Sequence, residues 1–280
     1  MGALIWLASY PKSGNTWVRS FLLNLLRDKD DPADINSLDR VSPSDSLRSW
    51  YEPFASKPLE TLGAPDIAKL RPLGHKKISE LRPDTIPVKT HNFLGEWHGV
   101  PLHTASLAAG AVYIVRNPLD VALSVADHFG MTDVERAIAF MAEEGAGTKL
   151  TQDYVPEFYR SWSSHVASWT GRKNPRIHVI RYEDMLDDPV TCFTSLVTFL
   201  GIPANAEKID RSIRFSSFGE LKKQEAEKTF REKSGKADAF FRKGRKDQWR
   251  EELTSSQVRQ IIADHQIHMG RFGYIPDDYA

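Results

Sequence analysis

The sequence predicts an α/β fold with three layers, in which a central, mostly parallel sheet lies between helices. Short apolar runs with the length of buried strands, such as LIWLA at 4–8 and AVYIV at 111–115, alternate with stretches whose apolar residues recur at helical spacing. The first run also leads through a short polar loop directly into a helix, as in proteins with parallel sheets. We expect one domain over residues 1–280.

The composition limits the classes of partner. Lys and Arg together number 37, as do Asp and Glu, so no overall field favours a nucleic-acid or membrane partner. The single cysteine, Cys192, excludes an intrachain disulfide framework and a cysteine-based zinc site, and it fits a reducing cytosol. The apolar run at 4–8 is too short, and too soon followed by polar residues, for a signal peptide or membrane span. We therefore expect a cytoplasmic protein whose anion sites are local clusters of cations.

The loop after the first strand, SYPKSGNT at 9–16, is the strongest candidate for such a cluster. Its backbone N–H groups and the following helix N-terminus favour an anion. Lys12 adds a positive charge, and the side chains of Ser13, Asn15 and Thr16 add hydrogen-bond donors. The P-loop of nucleoside triphosphatases is not matched, because Lys12 stands two residues before Gly14 instead of following a glycine. The alternative is an ordinary turn that caps the helix, with Lys12 in solvent.

The remaining elements follow in order. Residues 28–82 are rich in Pro, Ser and Asp, which favours loops and short helices over the core. Residues 222–250 are dense in charge, which is typical of a mobile loop or a solvated helix. Between and after them we predict strands at 86–91 and 177–180, and helices at 65–70, 76–81, from 117, 131–144, 155–169, 190–200 and 256–269.

Basic residues follow three successive strands. Lys12 follows the first, Lys89 and His91 end the second, and Arg116 follows the third. Because ligands bind at the carboxyl ends of parallel strands, these side chains are expected to converge on one cleft, although each alone would read as a surface charge. The position of His91 beside Lys89 suggests a general base near an anion.

Together these motifs resemble the cytosolic sulfotransferases that use 3′-phosphoadenosine 5′-phosphosulfate (PAPS). YPKSGNTW at 10–17 resembles the 5′-phosphosulfate loop of that family, with Asn15 in place of the usual Thr. The segment from Arg116 to Ser124 is similar to the 3′-phosphate motif, and VKTH at 88–91 to the catalytic segment. RYEDM at 181–185 and FRKG at 241–244 match further motifs in the expected order. One departure is Asp247, which stands where the family has a second glycine.

The resemblance implies a role for each of these residues. His91 would be the general base, and Lys12 and Lys89 would stabilise charge on the transferred group, without a metal. The residues that would bind PAPS, or the product adenosine 3′,5′-bisphosphate (PAP), are Lys12, Ser13, Gly14, Asn15, Thr16, Trp17, Arg116, Ser124, Tyr182, Ser216, Phe218, Arg242, Lys243 and Gly244.

The sequence does not identify the acceptor beyond a small molecule with a hydroxyl group. Aromatic residues that would line its pocket, or belong to the core, are Trp50, Tyr51, Phe54, Phe93, Trp97, Phe129, Phe140 and Tyr154. A homodimer stays open, because the dimer motif of the family is not matched near Thr229. Two rival classes are a small-molecule kinase, which would need Mg²⁺ and a Walker-type loop, and a catalytically silent nucleotide-binding module, against which Lys89 and His91 count.

Overall fold

The computed structural model describes residues 1–279 and contains a four-stranded parallel sheet. Its strands are β1 (Leu4–Ser9), β2 (Ile86–Thr90), β5 (Ala108–Val115) and β6 (Ile177–Arg181), in the spatial order β2-β1-β5-β6. Two short strands, β3 (Glu96–Trp97) and β4 (Val100–Pro101), form a separate antiparallel hairpin. All four strands of the main sheet therefore end at the same edge, as the sequence predicted.

Alternation along β1 divides the core into two layers. Ile5 and Leu7 pack with α1 (Asn15–Arg27) on one face of the sheet, whereas Leu4, Trp6 and Ala8 belong to the core of the other face. This alternation is what a strand buried on both sides requires. The predicted three-layer α/β architecture is confirmed.

The other helices complete the two outer layers. The Ile5 face also carries α7 (Pro189–Phe199) and α8 (Ala206–Phe215). The opposite face carries α3 (Pro118–Phe129), α4 (Val134–Ala142), α5 (Trp162–Thr170) and α11 (Ser255–Phe272). The remaining helices are α2 (Ala64–Ser79), α6 (Tyr182–Asp187), α9 (Phe218–Lys228) and α10 (Trp249–Glu252).

Three of the predicted helices were wrong in their extent. Residues 65–70 and 76–79 belong to one helix, α2, which continues through Pro72, and residues 80–81 lie beyond its end. Proline removes one hydrogen bond, but the buried face of α2, with Arg71 and His75 among its members, holds the helix together. The helix predicted at 155–169 begins only at Trp162. Ser161 caps it, and the residues before it are held by loop pairing, such as Tyr159 N–H to Ala146 O at 2.9 Å.

The charged stretch 222–250 divides into three parts. Its first residues complete α9, its last residues enter α10, and residues 229–248 form an irregular segment, part of which lines a cavity at the carboxyl end of the sheet. Asp247 in this segment has φ 61°, a conformation that glycine adopts readily, and its N–H donates to Asp120 Oδ2 at 2.9 Å. Asp247 therefore adopts the left-handed conformation that the glycine implied by the resemblance would adopt readily.

Candidate active site

A cavity of about 520 Å³ lies at the carboxyl end of the sheet, beside the loop after β1. The strand ends bring Lys12, Lys89, His91 and Arg116 to its wall. The other predicted site residues that line it are Gly14, Asn15, Thr16, Trp17, Ser124, Tyr182, Phe218, Arg242, Lys243 and Gly244. Convergence of these side chains on one cleft agrees with the expectation from strand ends.

Ser13 and Ser216 are not among the lining residues. Both side chains are buried, and the Ser216 hydroxyl donates to Ser212 O at 2.8 Å at the end of α8. Within residues 1–279 the Ser13 hydroxyl has no hydrogen-bond partner, and the nucleotide-binding roles of Ser13 and Ser216 stay predictions. Sequence motifs locate such residues in the chain, but not the direction in which a hydroxyl points.

The loop after β1 has a strained and closely packed backbone. Lys12 has φ 66° and Gly14 has φ 107°. A Cβ on Gly14 would lie 2.8 Å from Cδ2 of Tyr182, so a side chain here would push Tyr182 from the cavity wall. Asn15 is buried, and its amide donates to Leu7 O at 2.8 Å, which ties the start of α1 to β1. Asn15 thus fixes the loop through its side chain.

Lys12 and Arg116 form the cationic floor of the cavity. The Lys12 ammonium lies 3.7 Å from the centre of the Phe240 ring, a cation–π contact from the segment 229–248. Burial, followed by the neighbouring Arg116, lowers the pKa of Lys12 to about 8. An anion beside Lys12 would oppose both effects by stabilising the charged ammonium, so this lysine favours a negatively charged ligand.

Arg116 is held on three sides. Its Nη1 donates to Lys12 O at 3.0 Å and to Ser124 Oγ at 3.4 Å, and its guanidinium lies 4.3 Å from the centre of the Tyr182 ring. Only 6% of the residue is exposed, and within residues 1–279 its buried Nε has no hydrogen-bond partner. An oriented guanidinium with an unpaired N–H fits a phosphate group, which arginine binds through parallel hydrogen bonds.

The hydrogen bonds of His91 define its tautomer. Its Nδ1 lies 2.9 Å from Ser9 O, which can only accept a hydrogen bond, so Nδ1 carries the proton. Nε2 is therefore the unprotonated nitrogen of a side chain that lines the cavity. Burial, together with the charge of Lys89, lowers the pKa of His91 to about 4, so the ring is neutral near pH ~7. This is the state that a general base needs.

Lys89 has a partner that the sequence analysis missed. Its Nζ donates to Glu232 Oε2 at 2.9 Å, and Glu232 in turn accepts from Arg19 of α1. Burial alone would lower the pKa of Lys89, but the carboxylate outweighs it and raises that pKa. Glu232 lies in a stretch of many charges, where no pattern marks one acid, and no spacing in the sequence connects it to Arg19.

The cations of segment 229–248 also have acidic neighbours. Arg242 Nη2 donates to Gln248 Oε1 at 3.2 Å, and both Arg242 and Lys243 pair with Glu252 of α10. Gly244 has φ 61°, and a Cβ there would lie 2.1 Å from Cδ2 of Phe218. The glycine thus allows the backbone of this segment to lie against an aromatic ring of the cavity.

The wall next to His91 is polar. The Tyr159 ring lies 6.4 Å from that of His91, and the Tyr159 hydroxyl donates to Glu157 Oε2 at 2.8 Å. Ser46 donates to the other oxygen of Glu157 at 3.0 Å, and Thr148 bonds to the Glu157 backbone. Of the aromatic residues predicted for an acceptor pocket, only Phe129 and Tyr154 line the cavity.

Residues 1–279 contain neither a candidate membrane span nor a candidate metal cluster. No helix in this part of the chain is long and apolar enough to cross a membrane. Nor does this range contain a group of three or more His, Cys, Asp or Glu side chains placed to bind a metal ion.

An α/β fold with this site belongs to the class of proteins that bind phosphorylated ligands at the carboxyl ends of parallel strands. The sequence profile described as "Sulfotransferase domain" matches residues 4–273. The chain therefore belongs to the sulfotransferase family. The predicted enzyme class, a sulfotransferase that uses PAPS as its sulfuryl donor, is confirmed.

The chain is similar to flavonol 3-sulfotransferase of Flaveria bidentis, with 26% identity over 272 residues, which are 92% of this chain and 78% of that protein. It is 27% identical to cytosolic sulfotransferase 1 of Arabidopsis thaliana over 275 residues, which cover 92% and 76% of the two chains. The crystal structure of mouse sulfotransferase SULT7A1 complexed with PAP superposes with a TM-score of 0.62 at 24% identity, over 95% of this chain and 84% of that one. This last likeness supports the fold.

Proposed function

We propose that the protein transfers the sulfuryl group of PAPS to a hydroxyl of a small polar acceptor in the cytoplasm, with His91 as general base. The observation that carries this proposal is the 2.9 Å contact between His91 Nδ1 and Ser9 O, from which we assign the tautomer of His91. Nδ1 is committed to Ser9 O, so Nε2 of this cavity-lining residue is free to take a proton. The hydroxyl oxygen forms a bond to sulfur as its proton moves to Nε2, and the bond from sulfur to the phosphate oxygen breaks, releasing PAP.

The cations divide between the two ends of the nucleotide. Lys12 and the backbone N–H groups of the loop after β1 bind the 5′ end, since they lie at the N-terminus of α1. Arg116 and Ser124 bind the 3′-phosphate, and Arg242 and Lys243 approach it from segment 229–248. Trp17 and Phe218 lie beside the adenine, with Tyr182 near its edge, because all three are aromatic rings of the same wall.

Lys12 and Lys89 supply the electrostatic part of catalysis. Their ammonium groups are buried, so charge that develops on the sulfuryl and leaving oxygens interacts with them more strongly than it would in water. Neither group has to leave bulk water when the reaction occurs. The chain thus stabilises the transferred group with fixed cations.

The acceptor we propose carries polar groups in addition to the reacting hydroxyl. The wall that is continuous with His91 presents Glu157, Ser46 and Thr148, and segments 148–154 and 231–234 add further polar side chains. Ser46 and Tyr159 fill only part of the accepting capacity of the Glu157 carboxylate, so a wholly apolar acceptor would displace water from its remaining lone pairs without replacing those hydrogen bonds, which costs free energy. The acceptors to screen first are therefore hydroxyl-rich compounds, with simple phenols as the contrast.

One experiment tests this function. The protein is incubated with sulfur-labelled PAPS and both acceptor classes, and His91→Ala is compared with His98→Ala, a histidine exposed on the hairpin. We expect His91→Ala to lower turnover by roughly 10²- to 10⁴-fold, the usual contribution of a general base, with PAP affinity by calorimetry within about three-fold. His98→Ala should behave as the wild type. Turnover retained in His91→Ala would remove it as the base, and no affinity for PAP would refute the nucleotide site.

A further inference from the structure

Three charged side chains from distant parts of the sequence meet at the edge of the cavity. Arg19 belongs to α1, Lys89 to β2, and Glu232 to segment 229–248. Glu232 accepts from Arg19 Nη1 at 2.7 and 2.9 Å and from Lys89 Nζ at 2.9 Å. The exposed fraction of the side chain is 0% for Arg19 and 16% for each of the others. A carboxylate from an irregular segment is thus buried between two cations of the scaffold.

Arg19 is fixed before it reaches Glu232. Its Nε donates to Ser42 Oγ at 2.9 Å, and its Nη2 donates to Ser42 O at 3.0 Å and to Asp39 at 2.9 Å. The remaining nitrogen, Nη1, directs its hydrogen bonds to both oxygens of Glu232. The Arg19 guanidinium is buried and has little freedom to move, so its two hydrogen bonds fix the position of the Glu232 carboxylate.

Lys89 needs such a partner to fix the position of its ammonium group. A lysine ammonium sits on a flexible stem and has three donors, so its position is not set by the backbone alone. The bond to Glu232 occupies one donor and leaves the other two for oxygen atoms in the cavity. It also keeps the ammonium charged, because the carboxylate counteracts the effect of burial on the pKa of Lys89.

We propose that Glu232 is a positioning residue that, anchored by Arg19, orients the Lys89 ammonium toward the transferred group when segment 229–248 covers the cavity. The same segment carries Arg242, Lys243 and Gly244, so the segment that covers the nucleotide is also the one that orients the Lys89 ammonium. The effect on turnover rests on the proposed function. The contact between Glu232 and Lys89 does not.

The test uses Glu232→Gln, which keeps the side-chain size and removes the charge, with Glu227→Gln as the matched control on an exposed residue of α9. At saturating PAPS we expect Glu232→Gln to lower kcat about ten-fold or more, with the Kd of PAP within about two-fold. Glu227→Gln should change neither quantity. Glu232→Asp, which keeps the charge on a shorter chain, should recover part of the rate.

A second readout needs no turnover. The rate at which an amine-reactive reagent modifies Lys89 is followed by mass spectrometry against pH, and we expect its midpoint to fall by about one pH unit or more in Glu232→Gln but not in the control. The titratable and charged groups that face Lys89, and stay in both variants, are Arg19, Asp39, Glu157, Tyr154, Lys12, His91 and His128.

The outcomes separate the two proposals. An unchanged kcat with an unchanged Lys89 profile would overturn the positioning role. A raised kcat would also overturn it, because it would show Glu232 competing with the substrate anion for Lys89. If the wild type consumes no PAPS, the proposed function fails, and the Lys89 profile alone still decides whether Glu232 holds the lysine.

Discussion

Asp45 accepts hydrogen bonds from residues at and just after the end of β2, and its carboxyl group has an unusual protonation state. Its Oδ2 accepts from Thr90 Oγ1 at 3.2 Å and from Asn92 Nδ2 at 3.1 Å, and these two residues flank His91. The residue is fully buried. Burial raises the pKa of Asp45 from 3.8 to about 7, although the Arg71 guanidinium opposes the shift. The carboxyl group is thus partly protonated near neutral pH.

This raised pKa makes the folded state lose stability as pH rises. Between pH 3.8 and about 7 the folded state binds more protons at Asp45 than the unfolded state, so the free energy of unfolding falls across that window. A shift of that size corresponds to about 4 kcal/mol in total, and to nearly 3 kcal/mol between about pH 5 and about pH 8. Below this pH window Asp45 does not lower the free energy of unfolding, and above the window the full reduction remains.

Asp45→Asn tests this directly, because the amide keeps an oxygen for Thr90 and Asn92 and cannot ionise. The free energy of unfolding is measured by urea denaturation at about pH 5 and about pH 8, with Asp210→Asn on the surface of α8 as control. We expect the difference between Asp45→Asn and wild type to shift by nearly 3 kcal/mol in favour of the variant at the higher pH. Histidine contributions cancel in this comparison. A difference that is the same at both pH values would refute the reasoning.

Two further predictions concern the nucleotide site. Gly244→Ala should weaken PAP binding roughly ten-fold or more, because it places a Cβ on a residue in the left-handed region and against the Phe218 ring. Gly235→Ala, where a Cβ would meet no atom within 4 Å, should leave the affinity unchanged. Calorimetry with PAP on both variants measures the difference. PAP affinity should fall as pH rises through about 8, where Lys12 loses its proton, and Lys12→Met should bind more weakly without this pH dependence. An affinity profile of the wild type that stays flat to about pH 9 would contradict the second prediction.

Much of the fold was predictable because its signals are local. The strand at Ala108–Val115 and the loop at 9–16 show themselves through apolar runs and turn residues in one short stretch. The helix boundaries that failed depended on contacts outside the stretch. Residues 155–160 have helical periodicity in sequence, but they pair with Ala146 and Ser46 instead. Tertiary hydrogen bonds decided the conformation there.

The site was predictable to the extent that the parallel sheet determines it. Strand ends meet at one edge, so Lys12, His91 and Arg116 could be placed together without coordinates. Arg19 and Glu232 are 213 residues apart, and no spacing rule connects them. Nor could sequence show that the Asn15 amide binds Leu7 O. Hydrogen bonds made by side chains of irregular segments can be identified only from the folded structure.

The cavity also shows how a chain with no net charge can bury cations. Lys12 has the Phe240 ring, Arg116 has the Tyr182 ring and Lys12 O, and Lys89 has Glu232. The first two partners are uncharged, so those cations keep their attraction for an anion, whereas Lys89 stays charged but is paired with a carboxylate. We infer that these cations have different roles. Lys12 and Arg116 provide affinity for the nucleotide. Lys89, already paired, contributes less to binding and more to direction, which is why Glu232→Gln should change kcat while the Kd of PAP stays constant.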